Sequence, residues 1–97
     1  MIREVATILV APENTGRFEE AVAAARPIIM GAEGCLRMHL ERVVEVEGSY
    51  RLIVDWETIE HHTMLFRNSR AFEEWHALAK PFFLEPPAVV HTEIVAS

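Results

Sequence analysis

Cysteine is nearly absent from this sequence. Cys35 stands alone among 97 residues, and one thiol can form neither an intramolecular disulfide nor a cysteine-rich zinc site. A reducing cytoplasm is therefore the expected compartment. Positive charge is also scarce: nine Lys and Arg face fifteen Asp and Glu, a net charge of −6 with histidines neutral. That balance, with no basic run anywhere, argues against a nucleic-acid partner. No apolar stretch approaches the ~20 residues that a membrane span needs, so no membrane partner is expected. The opening MIREVATILVAPE carries Glu4 and no basic n-region, which is not the pattern of a signal peptide. A glycine-rich phosphate loop, a paired-cysteine metal motif and a serine nucleophile elbow are all missing.

What is present is a globular composition, 51% hydrophobic and 25% charged. The length suits one domain over residues 1–97 that buries roughly two-thirds of its unfolded surface. Residues 2–11 are rich in Ile, Val and Leu and stop at Pro12, as a strand running into a turn would. Phe18, Ala21, Val22 and Ala25 then recur at helical spacing, with Asn14 or Thr15 as the candidate cap. Pro27 should kink or end that helix. Cys35–Val46 and Tyr50–Glu57 flank Glu47-Gly48-Ser49 and predict an antiparallel hairpin. In its second strand Tyr50, Leu52, Val54 and Trp56 form a wholly apolar face, opposite a mostly charged one of Arg51, Ile53, Asp55 and Glu57.

Thr58 predicts the cap of a second helical region whose face combines Ile59, His62, Leu65 and Phe66, punctuated by Asn68 or Ser69. A further helix follows with Phe72, Trp75, His76 and Ala79 on its inward stripe, and Trp75 reads as core or interface. Glu85-Pro86-Pro87 ends it, and Val89–Val95 reads as the last strand. The order β-α-β-β-α-β predicts an α+β, ferredoxin-like antiparallel sheet with helices on one face. The other face then needs a cover, for which a homodimer packed sheet against sheet is the expectation.

Histidine is the chemistry-bearing residue type. Adjacent helical residues point about 100° apart, so His61-His62 cannot chelate one metal from a regular helix, and no metal site is expected. His62 and His76 share inward faces with aromatic side chains and need polar partners; a backbone carbonyl or water would serve either one alone, and the two together point to a pocket whose polar ligand supplies them. Neither His39, His61 nor His91 is given a role. Cys35 reads as a small buried hydrophobe, and Glu41, Glu45 and Glu47 as a solvated strand face.

Taken together, the opening strand Val5–Ala11, the run Glu33-Gly34-Cys35-Leu36, Val54-Asp55-Trp56-Glu57 before a histidine-bearing helix, Arg67-Asn68-Ser69-Arg70-Ala71-Phe72, and Pro86-Pro87 leading to His91-Thr92-Glu93 resemble the antibiotic biosynthesis monooxygenase (ABM) domain of the dimeric α+β barrel superfamily. The resemblance implies a homodimer with one pocket per subunit between sheet and helices. It also implies oxygenation of phenolic or quinol-type aromatics by O₂ with no metal, flavin or other cofactor. The tryptophan that ends strand three in members acting on polycyclic aromatics is matched by Trp56. Their tyrosine six residues later is His62 here, their arginine twenty residues later is His76, and their asparagine four residues before is Leu52. The haem-degrading branch carries a histidine four residues after a phenylalanine, and Phe72 with His76 keeps that spacing, although Phe66 stands in place of its tryptophan.

The expected catalytic residues are therefore His62 and His76, with Trp56, Leu52, Phe66 and Phe72 binding a small aromatic substrate that reacts with O₂. An imidazole titrating near pH 6.5 can take a phenolic proton. A non-catalytic domain that binds a small aromatic or haem, and a small-carbonyl isomerase, are the rival readings.

Overall fold

Strict alternation in the opening residues sets the frame of the molecule. In the computed structural model, which describes residues 1–97, β1 (Ile2–Leu9) buries every second side chain, with Glu4, Ala6 and Ile8 turned toward the helices. Pro12–Asn14 form a 3₁₀ turn, and α1 (Thr15–Met30) packs Phe18, Val22, Ala25 and Ile29 against the sheet. Asn14 occupies the N-cap position without a capping side-chain bond, and Thr15 Oγ1 instead donates to the Pro12 carbonyl at 3.2 Å. Of the two outcomes expected at Pro27, an end to the helix does not occur: α1 runs on to Met30. Proline deprives the Ala23 carbonyl of its helical donor, yet Ala23 and Pro27 are both exposed, so water can satisfy that oxygen.

The hairpin forms as predicted from β2 (Cys35–Arg42) and β3 (Ser49–Trp56). β2 stops short of the expected Val46 because the chain folds into a loop in which Val43 N–H donates to Ser49 O and Ser49 N–H to Val46 O. Gly48 sits at φ +83° and its carbonyl accepts from Val10 N–H at 2.8 Å, which docks the loop onto the end of the first strand segment.

After the hairpin come a π-helical turn (His61–Phe66), α2 (Arg70–Ala79), a 3₁₀ turn (Lys80–Phe82) and β4 (Ala88–Thr92). Ser69 caps α2, its Oγ accepting from Phe72 N–H at 3.2 Å. β4 ends at Thr92 rather than Val95 because Thr92 pairs with Arg3, close to where β1 itself begins. Ile94 and Val95 are left in solvent. The four strands form one antiparallel sheet in the order β2-β3-β1-β4, the ferredoxin-like arrangement.

The core lies between the inward sheet face and the helices, where Tyr50, Leu52, Val54 and Trp56 are all buried as the alternation predicts. The opposite face of β3 is not solvated throughout. Ile53 and Asp55 are also buried, Asp55 with no exposed surface. Register explains the acid, since Arg3 on β1 and Arg37 on β2 both stand directly opposite it. Arg3 Nε and Nη2 donate to its two oxygens at 2.8 and 3.2 Å, and Arg37 Nε donates at 2.9 Å. The arginine beside it holds the Asp55 carboxyl below the usual range.

Candidate active site

The site begins with the π turn. Arg67 N–H donates to the His62 carbonyl five residues back, at 3.1 Å, and this wider winding departs from helical spacing. An α-helix would bury Ile59, His62, Leu65 and Phe66 together. The π turn buries only His62 and Phe66 and leaves Ile59 and Leu65 exposed. Thr58 caps the region as predicted, its Oγ1 accepting from His61 N–H at 3.4 Å. The His61 ring rests on Gly34, where any Cβ would overlap it.

His62 is 2% exposed and enters a polar cluster made by three strands. Its ring stacks on Trp56, centroids 5.5 Å apart and planes 17° from parallel. Its Nδ1 lies 2.8 Å from His91 Nε2, and its Nε2 lies 3.3 Å from Glu4 Oε1. Trp56 Nε1–H donates to the same Glu4 oxygen at 3.0 Å. Strand pairing brings these groups together, because Glu4 on β1 stands directly opposite His91 on β4. The assignment that satisfies the paired nitrogens keeps both imidazoles neutral: His91 Nε2–H donates to His62 Nδ1, and the remaining His62 hydrogen sits on Nε2, near the carboxylate but outside hydrogen-bond geometry.

Electrostatics agree with that assignment. Burial, with smaller contributions from Arg67 and His91, pushes the His62 imidazole down to about 4. Burial and Arg67 likewise lower His91. Glu4 moves the other way: burial raises its carboxyl, while the Trp56 hydrogen bond and Arg67 oppose the rise.

Beside the cluster, between the sheet and α2, opens a cleft of about 310 Å³, at the small end of the ~300–1,000 Å³ typical of small-molecule sites. Ala6, Ile8 and Leu52 line it from the sheet, and Phe72, Trp75, Phe83 and Val89 supply much of its remaining apolar wall. Its polar groups are Glu4, His62, Arg67 and His76. His76 stacks on Phe72, centroids 5.3 Å apart, and makes no side-chain hydrogen bond within the chain. No group of three or more His, Cys, Asp or Glu side chains is arranged to hold a metal ion, and no helix is long and apolar enough to cross a membrane.

Of the residues singled out from sequence, the structure gathers Leu52, His62, Phe72 and His76 around the cleft. Trp56 lies behind His62 with no exposed surface, so a ligand in the cleft meets Phe72, Trp75 and Phe83 instead. Phe66 backs Trp56 at 5.3 Å and lines a separate depression with Leu65 and Ala71. Cys35 is half-buried, its Sγ 3.9 Å from Met30 Sδ, and burial pushes its thiol up. Sequence reasoning missed Glu4, Arg67 and His91. A signal for Glu4 did exist: it is the one acid on a strand face that otherwise carries Ala6 and Ile8 into the core.

Comparison with known proteins bears on the whole chain. A Bacillus subtilis protein, YczJ, which is itself uncharacterised, is 38% identical over 95 residues, covering 98% of this chain and all of that protein. A Bordetella bronchiseptica crystal structure, classed with the antibiotic biosynthesis monooxygenases, is 45% identical, covers 98% of this chain and 97% of its own, and superposes with a TM-score of 0.95. A Caulobacter crescentus structure of the same class shares the fold at 22% identity, with 98% and 90% coverage and a TM-score of 0.82. The profile described as antibiotic biosynthesis monooxygenase matches residues 1–78, and with these relatives it establishes that the chain belongs to the antibiotic biosynthesis monooxygenase (ABM) family.

Proposed function

We propose that the protein is a monooxygenase whose cleft takes a compact phenolic or quinol-type aromatic and oxygenates it with O₂, using no metal, flavin or other cofactor. The observation that carries this reading is the cleft itself, an aromatic-walled apolar space into which only four polar side chains converge. Phe72, Trp75 and Phe83 contact the rings, and His76, with both nitrogens free of protein partners, hydrogen-bonds the phenolic oxygen. His62 acts from behind, holding the polar end of the cleft in one arrangement. Once ionised, the electron-rich ring reduces O₂ directly. For a ring CH₂ activated by the phenolate, one oxygen atom becomes the new C=O and the other leaves as water with the two hydrogens of that carbon. A water-poor cleft suppresses side reactions of the peroxy intermediate. A second copy of the chain is proposed to cover the outer sheet face, where Val90 is 57% exposed; light scattering on purified protein tests that part.

The function is tested in an oxygen-electrode cell, with metal-free protein offered hydroquinones, naphthols and anthrone-like tricyclic phenols. Uptake above autoxidation is expected, falling about tenfold or more in His76→Ala, which loses the hydrogen bond to the phenolic oxygen, and further in His62→Ala/His76→Ala. Stoichiometric binding with no uptake on any substrate would replace this reading with that of a binding domain, and turnover under nitrogen would replace it with an isomerase.

A further inference from the structure

Glu4 is an expensive residue where it stands. It is 7% exposed, on the central strand, on the face that carries Ala6 and Ile8 into the core. Burying a carboxylate costs several kcal/mol unless its partners compensate, and the usual compensation is an ion pair. No Lys or Arg pairs with Glu4. Its contacts are Trp56 Nε1–H at 3.0 Å and His62 Nε2 at 3.3 Å, and both fall on Oε1. Oε2 has no hydrogen-bond partner in the protein, yet no sealed side-chain oxygen or nitrogen in the chain lacks one. Oε2 is therefore not sealed, and of the four depressions in the surface the cleft alone is lined by Glu4. One oxygen is held and the other is presented.

We propose that Glu4 is a catalytic residue, the proton acceptor of the cleft, acting through Oε2 on the hydroxyl of a bound phenol. The inference rests on the phenol reading above. In the step, the substrate O–H bond breaks, an Oε2–H bond forms, and the electron pair stays on the phenolate oxygen. The charge of the site does not change, so a desolvated cleft can accommodate the transfer. No oxidant takes part. His62 does not compete for this proton in that tautomer, because its Nδ1 accepts from His91 and its Nε2 already carries a hydrogen. The other titratable or charged groups around Glu4 are Arg67 at the cleft, His91 on β4 and the Cys35 thiol on β2. Burial raises the Glu4 carboxyl and so brings its basicity closer to that of a phenolate.

The test uses 4-nitrophenol, colourless as the phenol and yellow as the phenolate, under nitrogen at a pH where the free dye is mostly protonated. Protein labelled with ¹³C at the glutamate carboxyl reports the other half of the transfer, and the signal missing in Glu4→Gln identifies Glu4. Dye bound to the wild type is expected to turn yellow while the Glu4 carboxyl carbon moves to its protonated position. Dye bound to Glu4→Gln should stay colourless, and oxygen uptake by that variant should fall by about 10²–10⁴. Dye that binds the wild type and stays colourless, or turns equally yellow in Glu4→Gln, overturns the assignment. Yellow dye and a protonated Glu4 with no oxygen uptake on any substrate leave the proton transfer standing and remove only the oxygenation reading. Failure of every phenol to bind overturns both.

Discussion

Acid should weaken this fold through one imidazole. His62 is neutral in the folded protein and titrates at about 4, whereas its ordinary value is 6.5. Between those values the unfolded chain binds a proton that the folded chain refuses, so stability is full above about pH 6.5, declines as the pH falls, and levels off below about 4. From pH 8 to pH 5 the loss from this group alone is about 2 kcal/mol, and it reaches about 3 kcal/mol at the lower limit. Glu4 works in the opposite sense. Its raised carboxyl takes a proton in the folded state first, so stability withheld at neutral pH returns as the pH falls through its folded pKa. The comparison is therefore made with Glu4→Gln in both members of the pair, with and without His62→Gln. Urea unfolding followed by the emission of the buried Trp56 and Trp75 gives each stability at pH 8 and pH 5. The protein that keeps His62 should lose about 2 kcal/mol more than the one that lacks it. Equal losses, or a C2–H proton resonance of His62 that titrates near its ordinary value, would refute the claim that burial sets its protonation.

Asp55→Asn should cost about 2 kcal/mol in urea unfolding at pH 7, the scale of hydrogen bonds to a charged group, and not more, because Arg3 and Arg37 reach water and rehydrate. Since Asp55 is held low, its contribution is present above the ordinary carboxylate range and disappears as the pH falls through its own lower value. Gly48→Ala should lose at least about 1–3 kcal/mol, since a residue with a Cβ is strained at φ +83° and that Cβ would overlap the Val10 carbonyl; an unchanged urea midpoint would contradict this. Pro27→Ala should raise stability by about 1–2 kcal/mol. It restores a donor for Ala23 O, offset by the exposure of that carbonyl and by the stiffer unfolded chain that proline provides. A lower midpoint would mean that the helix needs its proline.

The strands and their faces were legible because a period of two is a strong local signal, and Tyr50, Leu52, Val54 and Trp56 are buried as it predicted. Element order then limited the topology to few choices. Local spacing failed at the π turn, where an extra residue per hydrogen-bonded ring removes Ile59 and Leu65 from the stripe that helical periodicity drew. It also failed wherever a role depends on register. Asp55 was placed only on a mostly charged face, and its burial comes from Arg3 and Arg37, 52 and 18 residues away in sequence. His91 had mixed neighbours and no local distinction, and only the pairing of β1 with β4 sets it against Glu4. Half of the polar cluster was thus visible as side chains without partners, and the partners were a property of the assembled sheet.

β4 is five residues long and hydrogen-bonds to β1 alone, which ties the chemistry of the cleft to the breathing of an edge. An edge segment this short opens locally at a fraction of the free energy needed for global unfolding. Each opening should carry His91 away and hydrate His62 Nδ1, a nitrogen that otherwise faces only His91. The amides of residues 88–92 should then exchange with solvent in step with the protonation of His62.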